Sequence, residues 1–206
     1  MRLRFSVHSP YVRKVRVVAH ELGVSHRIEQ VPTTLRTQDP AFWSENPLAK
    51  IPVLTLEDGA SYADSTVICE YLDATFGGHR LLPLRGDARW RALTTIALAD
   101  GVTDAGMLAR QELLRPPELK SAEHFDFQLA KVARGLDRLQ ETVAEASDGE
   151  SDAFDLPRIA TACCLGWLEL RFGSEYVFTG RQPLSGWYRR VCERPSMQTT
   201  RPDHHA

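Results

Sequence analysis

The sequence predicts a small α/β domain followed by an all-helical one. Three observations carry this: period-two alternation at the N-terminus, an Asp-Gly turn between two short extended runs, and loss of the β signal after residue 78. Residues 2–7 place Leu3, Phe5 and Val7 on one face and Arg2, Arg4 and Ser6 on the other, the period of a half-buried strand. Pro10 suits the first turn of a helix whose apolar positions Tyr11, Val15, Val18, Ala19 and Leu22 follow the helical period up to Gly23. "HRIEQV", residues 26–31, reads as a second strand. "DPAFWSENPLAK" is punctuated by Pro40 and Pro47 and reads as a loop or a short, irregular helix. "IPVLTLEDGASYAD" reads as a hairpin, with Asp58-Gly59 as its turn. From Ser65 a helix runs with Val67, Ile68, Tyr71, Leu72 and Phe76 inward, and Gly77-Gly78 ends it.

Beyond "GGHRLLPLRGD" the patterns are helical. The segment from Asp87 carries Trp90, Leu93 and Ala97 on one face, with Gly101 and Gly106 as candidate bends. Residues 121–146 repeat Phe125, Leu129, Val132, Leu136, Leu139 and Val143 every three or four positions. After the polar loop "ASDGESDA", Asp155 is a good N-cap, and Phe154 with Ile159 has the spacing of a hydrophobic staple. The helix that follows holds Ile159, Cys163, Gly166 and Leu170 in phase, and a last helix presents Leu184, Trp187 and Val191. The expected domains are 1–78 and 86–206.

With 206 residues and 43% hydrophobic content the chain is long enough to bury a sizeable core. A net charge of −2, with acids and bases interleaved, argues against nucleic acid or an anionic membrane as the main partner. No apolar run approaches the ~20 residues of a membrane span, and "MRLRFSVHSP" lacks the apolar core of a signal peptide, so a cytoplasmic protein is expected. Cys69, Cys163, Cys164 and Cys192 have no zinc-ligand or C-x-x-C spacing; buried thiols and no metal are expected. The tail "DHHA" reads as a chain end rather than a metal site.

Three stretches could carry chemistry. Ser9 stands between a strand and a helix; beside His8 it invites a nucleophile reading, but there is no G-x-S-x-G elbow and serine before proline is a common helix cap. Ile51-Pro52 opens a strand. A cis bond there would turn the Ile51 N–H and C=O outward to pair with an extended peptide, whereas a trans bond would make a plain edge strand. Asp64-Ser65 opens a helix, where unpaired N–H groups and the Ser65 hydroxyl favour a carboxylate and Asp64 can accept from an ammonium; a plain cap is the alternative.

Taken together, "SPYVRKVRVVAHELGV", "NPLAKIPVL" and "ADSTVICEYLD", followed by a helical half ending "WYRRVCERPSMQTTRP", resemble a bacterial cytosolic glutathione S-transferase over nearly the whole chain. The resemblance implies a thioredoxin-like N-terminal domain, an all-α C-terminal domain (the glutathione transferase fold), a homodimer, and an active site in the cleft between domains. It implies glutathione as co-substrate, transferred to a small hydrophobic electrophile. Ser9 matches the position of a catalytic cysteine in omega-like members and of serine in others, and so would contact the glutathione sulfur. Ile51 matches the backbone pair that holds the cysteinyl unit, Asp64 and Ser65 the pair that holds the γ-glutamyl end, and Lys50 is placed to reach a glutathione carboxylate. Tyr11, Met107 and Arg110 are the expected electrophile contacts.

The sequence departs from the family pattern in three places. Asp64 replaces the commoner glutamate, shortening the reach by one methylene. Where many relatives pair a Ser/Thr cap with an aspartate three residues on, this chain has Asp155 and Arg158. Ser9 lies one residue nearer the proline than in several serine-type classes, which leaves the sulfur contact open to His8 or Tyr11. Two other functions compete. A glutathione-dependent thiol-disulfide reductase would need a thiol where Ser9 stands, since a hydroxyl forms no mixed disulfide. A non-catalytic binding protein would be marked by loss of Ser9 or Asp64-Ser65, and both are present.

Overall fold

The computed structural model describes residues 1–34, 39–147 and 154–202. The tail from Asp203 and most of the polar loop before Phe154 lie outside the described residues. Contacts divide the chain into two units, Met1–Gly86 with Arg194–Ala206, and Asp87–Glu193.

In the first unit, β1 (Arg2–Phe5), α1 (Pro10–Glu21), β2 (Glu29–Pro32), α2 (Pro40–Glu45), β3 (Val53–Thr55), β4 (Ser61–Tyr62) and α3 (Ser65–Leu72) follow in order. The sheet order is β2-β1-β3-β4, with β1 parallel to β2 and antiparallel to β3, and β3 antiparallel to β4. This is the thioredoxin-like arrangement.

Alternation along β1 assigns the two faces. Leu3 is 1% exposed on the core side. On the other side Arg4 grips Glu45 with two bonds, Nε to Oε2 at 2.7 Å and Nη2 to Oε1 at 3.0 Å, and reaches Asp39 at 3.2 Å. That bidentate pairing seats α2, whose cap is Asp39, and Phe42 is buried beneath it. Val53, Leu54 and Thr55 are all buried, as expected of an internal strand covered on both faces.

The apolar stripe of α1 is wider than the sequence pattern suggested. Val12, Val15, Val17, Val18 and Ala19 are all buried, and so are Arg13 and Lys14. In α3 the expected inward Val67 is 47% exposed, while Ser65, Ile68, Cys69 and Leu72 are buried. The helix continues as a π turn, Asp73–Gly77, and stops at Gly78 with φ of 62°. Asp73 is 1% exposed, and its Oδ2 accepts from the N–H groups of Leu81 and Leu82 at 3.0 and 2.9 Å. Gly77 has to be glycine there, because a Cβ would stand 2.2 Å from Asp73 Oδ1.

The second unit holds α4 (Gly86–Leu113, its first residue shared with the first unit), α5 (Ala122–Ser147), α6 (Leu156–Phe172), α7 (Ser174–Phe178) and α8 (Gln182–Cys192). Trp90 is 64% exposed and Ala97 is exposed; the inner face of α4 is Ile96, Ala99, Val102, Thr103, Gly106 and Ala109. Large side chains marked the wrong face because close helix packing selects small ones. Gly106 and Gly101 are not breaks in the helix. At Gly106 an added Cβ would meet Leu168 at 2.8 Å and Trp167 at 3.0 Å, and at Gly135 on α5 it would meet Val102 at 2.1 Å. Asp155 caps α6 by accepting from the Arg158 N–H at 3.1 Å, and the Arg158 side chain folds back on the same carboxylate at 2.8 Å. Phe154 and Ile159 are both buried. On α8, Leu184, Trp187 and Tyr188 are buried, whereas Val191 is half-buried.

From Arg194 the chain is grouped with the first unit, where the sequence reading had joined it to the helical half. The last helix, α9 (Pro195–Thr199), packs on α1 through polar anchors. Arg13, 5% exposed, donates from Nη2 to the Met197 carbonyl at 3.1 Å. Glu21 accepts from Arg194 Nη2 at 2.9 Å and from Ser196 Oγ at 2.5 Å. Among the described residues no disulfide forms, no helix is long and apolar enough to cross a membrane, and no group of three or more His, Cys, Asp or Glu is placed to hold a metal.

Burial works to raise the pKa of Glu21, but the bonds from Arg194 and Ser196 outweigh it and hold the carboxyl below its usual 4.5. Burial, then the charge of Arg16, holds His20 below its usual 6.5. With both values depressed, the unfolded chain binds more protons in acid. The stability these groups contribute is complete above their ordinary pKa values and is lost as the pH falls through the folded ones, His20 first and Glu21 below it. Urea unfolding between about pH 5.5 and 3.5 should therefore show a shallower loss of stability in Glu21→Gln than in the native chain; equal slopes would mean that the contact is not titrating.

Candidate active site

Strand pairing brings the three sequence stretches to one edge of the sheet. Arg4 lies opposite Val53 in the antiparallel β1–β3 pair, so the chain leaving β1 toward Ser9 and the chain entering β3 through Ile51-Pro52 share an end. Leu54 lies opposite Tyr62, so β4 also exits there, one residue before the Ala63-Asp64 junction. α1 and α3 then start from that edge, capped by Ser9 and Asp64. Two helix N-termini at one edge concentrate unpaired N–H groups and favour negative charge.

Ser9 uses one side of its hydroxyl for the cap. Its Oγ accepts from the Val12 N–H at 3.3 Å, which engages a lone pair and leaves the proton. No acceptor among the described residues takes that proton. His8 and Tyr11 flank it and are half-buried, and His8 Nδ1 is buried without a hydrogen-bond partner among the described residues.

The Ile51-Pro52 bond is cis. Ile51 is only 9% exposed, yet neither its N–H nor its C=O is hydrogen-bonded among the described residues. Buried backbone groups are nearly always paired, so this segment is one pair short. The loop leading to it is braced by Asn46, 8% exposed, which the sequence reading missed. Its Nδ2 donates to the Lys50 carbonyl at 2.9 Å and its Oδ1 accepts from the Leu48 N–H at 3.1 Å. Ala49, at φ of 50°, makes the turn, and the Lys50 side chain is exposed. The available signal was Asn-Pro, a turn-initiating pair.

Asp64 accepts from the Thr66 and Val67 N–H groups through Oδ1, at 2.9 and 3.4 Å. Asp64 itself is exposed, with Oδ2 open to a cation, while Ser65 is 3% exposed. A second feature absent from the sequence reading is Lys14. It is 1% exposed and donates to Thr66 Oγ1 at 3.1 Å, tying α1 to the first turn of α3 and fixing the two N-termini relative to each other.

Met107 and Arg110 lie in the second unit, on α4, three residues apart, and both are half-buried. The edge of the first unit thus combines a hydroxyl proton beside a helix N-terminus, an unpaired peptide group and a carboxylate beside a second N-terminus. It can hold an extended peptide by its main chain, accept an ammonium and stabilise an anion.

Residues 8–75 match the model of the glutathione S-transferase N-terminal domain. An uncharacterized GST-like protein of Escherichia coli (strain K12), YibF, is 31% identical over 203 residues, 98% of this chain and 98% of its own. A crystal structure of a glutathione transferase family member from Pseudomonas fluorescens Pf-5 with bound glutathione superposes with a TM-score of 0.91 at 41% identity, covering 98% of each chain. A second structure from that organism, with bound S-(propanoic acid)-glutathione, gives a TM-score of 0.87 at 41% identity, covering 98% of this chain and 100% of its own.

The brace is testable without any ligand. Asn46→Ala removes two side-chain hydrogen bonds at a buried position and is expected to cost about 2 kcal/mol in urea unfolding. It should also open the 46–50 loop to limited proteolysis, and native resistance in the variant would show that the loop holds its shape unaided.

Proposed function

This chain belongs to the glutathione S-transferase family, and on that premise we propose that it conjugates glutathione to a small hydrophobic electrophile. The observation that carries the proposal is Ile51, a nearly buried residue whose N–H and C=O are both unclaimed among the described residues, at the edge where Ser9 and Asp64 cap two helices. Those two groups suit the cysteinyl main chain of glutathione, paired as an added strand. Asp64 then receives the γ-glutamyl ammonium through Oδ2, and Ser65 with the α3 N-terminus receives its carboxylate. Lys50 reaches a second glutathione carboxylate. The glutathione bound in the Pseudomonas fluorescens relative supports this ligand for the present chain, and the propanoic acid on sulfur in the second structure supports a small acceptor. Tyr11, Met107 and Arg110 are proposed to contact that acceptor. Family membership further supports a cytoplasmic homodimer.

The magnitudes are sufficient. A thiol of pKa about 8.5 is a few per cent ionised at pH 7, and lowering it two units requires about 2.7 kcal/mol of preference for the thiolate. A hydrogen bond to a charged group contributes about 1.5–3 kcal/mol, and a helix N-terminus about 0.3–1 more. The Ser9 proton, which the cap leaves available, supplies the first, and α1 supplies the second. The thiolate then attacks the electrophilic carbon, the sulfur–carbon bond forms, and the leaving group departs with its electron pair.

Calorimetric titration should show glutathione binding at millimolar concentration or below, and conjugation of a generic aryl halide should be measurable. Ser9→Ala is expected to lower kcat/KM by about 10- to 100-fold while glutathione still binds, since the lost contact is to the ionised sulfur. An unchanged rate in that variant would remove Ser9 from the mechanism, and absence of glutathione binding in the native chain would defeat the proposal.

A further inference from the structure

Between α1 and the edge strand β2, the first unit holds a small cavity of about 10 Å³, the space of one water-sized group. Leu3 and Ile28 supply apolar lining. The polar lining is Arg16 and His20 from α1, Ser25 from the single turn Ser25–Arg27, and Gln30 from β2. The Arg16 guanidinium lies over the Phe5 ring, 5.1 Å from its centroid, and its Nε is buried with no hydrogen-bond partner among the described residues. Arg171 Nε in the second unit is in the same condition, so a missing bond by itself assigns nothing. At Arg16 it coincides with a cavity and with three other lining side chains that can donate.

The charge around this cavity is positive. Arg13, one turn before Arg16 on α1, is 5% exposed and bonds to neutral acceptors, the Met197 carbonyl and Thr200 Oγ1. Burial, then the charge of Arg13, holds the Arg16 guanidinium below its ordinary pKa. Among the described residues no acid lines the cavity, and Glu21, beside His20, already accepts from Arg194 and Ser196. A guanidinium keeps its charge when buried, and a buried charge needs a counter-charge or hydrogen bonds. Water would accept the Nε–H bond and leave the net charge as it is. A monatomic anion can accept from Arg16 Nε–H, an imidazole N–H of His20, the Ser25 hydroxyl and the Gln30 amide together, and it offsets the charge as well.

We propose that Arg16, with His20, Ser25 and Gln30, forms a site for a single small inorganic anion of the size of chloride. The site lies about two turns of α1 beyond the Ser9 cap, so the inference goes beyond the transferase reading and does not depend on it. The cavity admits one atom rather than a tetrahedral oxyanion, so size selects a halide over sulfate or phosphate. Its lining comes from α1, β1, the turn after α1 and β2, which meet only in the folded unit. The ion therefore binds the folded chain alone, and its binding stabilises the contact between α1 and the edge strand.

Replacing sodium gluconate by sodium chloride at constant ionic strength tests this on the full chain, with the NMR line width of chloride and the thermal midpoint as readouts. The native chain should give excess broadening that saturates at millimolar chloride and is released by bromide but not by sulfate. Its Tm should rise by about 3 °C at about tenfold the half-saturating concentration. Broadening that never saturates, or release by sulfate as strong as by bromide, would mean a bound water or a diffuse charge effect and would overturn the proposal; that result needs no variant to fold. Arg16→Met, which keeps an unbranched stem beside Phe5, should remove the saturable part. Gln30→Val, on the exposed edge strand, should weaken chloride binding by about threefold or more, the scale of one hydrogen bond, whereas Arg171→Gln should leave it unchanged. Broadening that survives in Arg16→Met or disappears in Arg171→Gln would overturn the residue assignment. Should Arg16→Met fail to fold, native affinity in Gln30→Val would overturn it equally.

Discussion

Everything at the candidate site depends on the register of three short strands. Arg4 opposite Val53 and Leu54 opposite Tyr62 fix which ends of β1, β3 and β4 lie together. A slip of one residue would turn Leu3 from the core to the face where Arg4 meets Glu45, so the register is held by burial on one side and a bidentate ion pair on the other. The strands are only two to four residues long. They are held less by their own ladder than by the helices covering both faces. The edge carrying Ser9, Ile51 and Asp64 is therefore a product of core packing, although none of those side chains belongs to the core in the usual sense.

At that edge, structural and chemical roles use different parts of the same groups. Ser9 caps α1 with a lone pair and keeps its proton; Asp64 caps α3 with Oδ1 and keeps Oδ2. Capping also fixes both side chains in place, so a ligand would lose little side-chain entropy in meeting them. Lys14 adds rigidity from beneath, since its buried ammonium links the two helices at Thr66.

Most of this site was legible in the sequence because caps and proline-opened strands are local signals. Ser9, Ile51-Pro52 and Asp64-Ser65 all sit at element boundaries, and the Asp58-Gly59 turn fixed where the hairpin closes. What stayed hidden was non-local. Trp90 and Ala97 looked like a buried face because size and hydropathy were the only guides, whereas the inner face of α4 was chosen by how near α5 and α6 come, through Gly135 and Gly106. Val67 was misplaced for a related reason, since the burial of Ser65 and Cys69 rotates α3 toward small side chains. Asn46 acts through a four-residue loop with no periodic signature.

The return of the chain end to α1 affects how the first unit can be made. Arg13 and Glu21 are placed early in the sequence, but Met197, Ser196 and Arg194 complete their bonding only when the last part of the chain is present. A fragment ending at Glu193 would contain every strand of the sheet and still leave a guanidinium and a carboxylate on α1 without these partners. Synthesis of this protein therefore cannot finish its first unit first: the N-terminal half must wait, incompletely closed, for the final turn of helix to arrive.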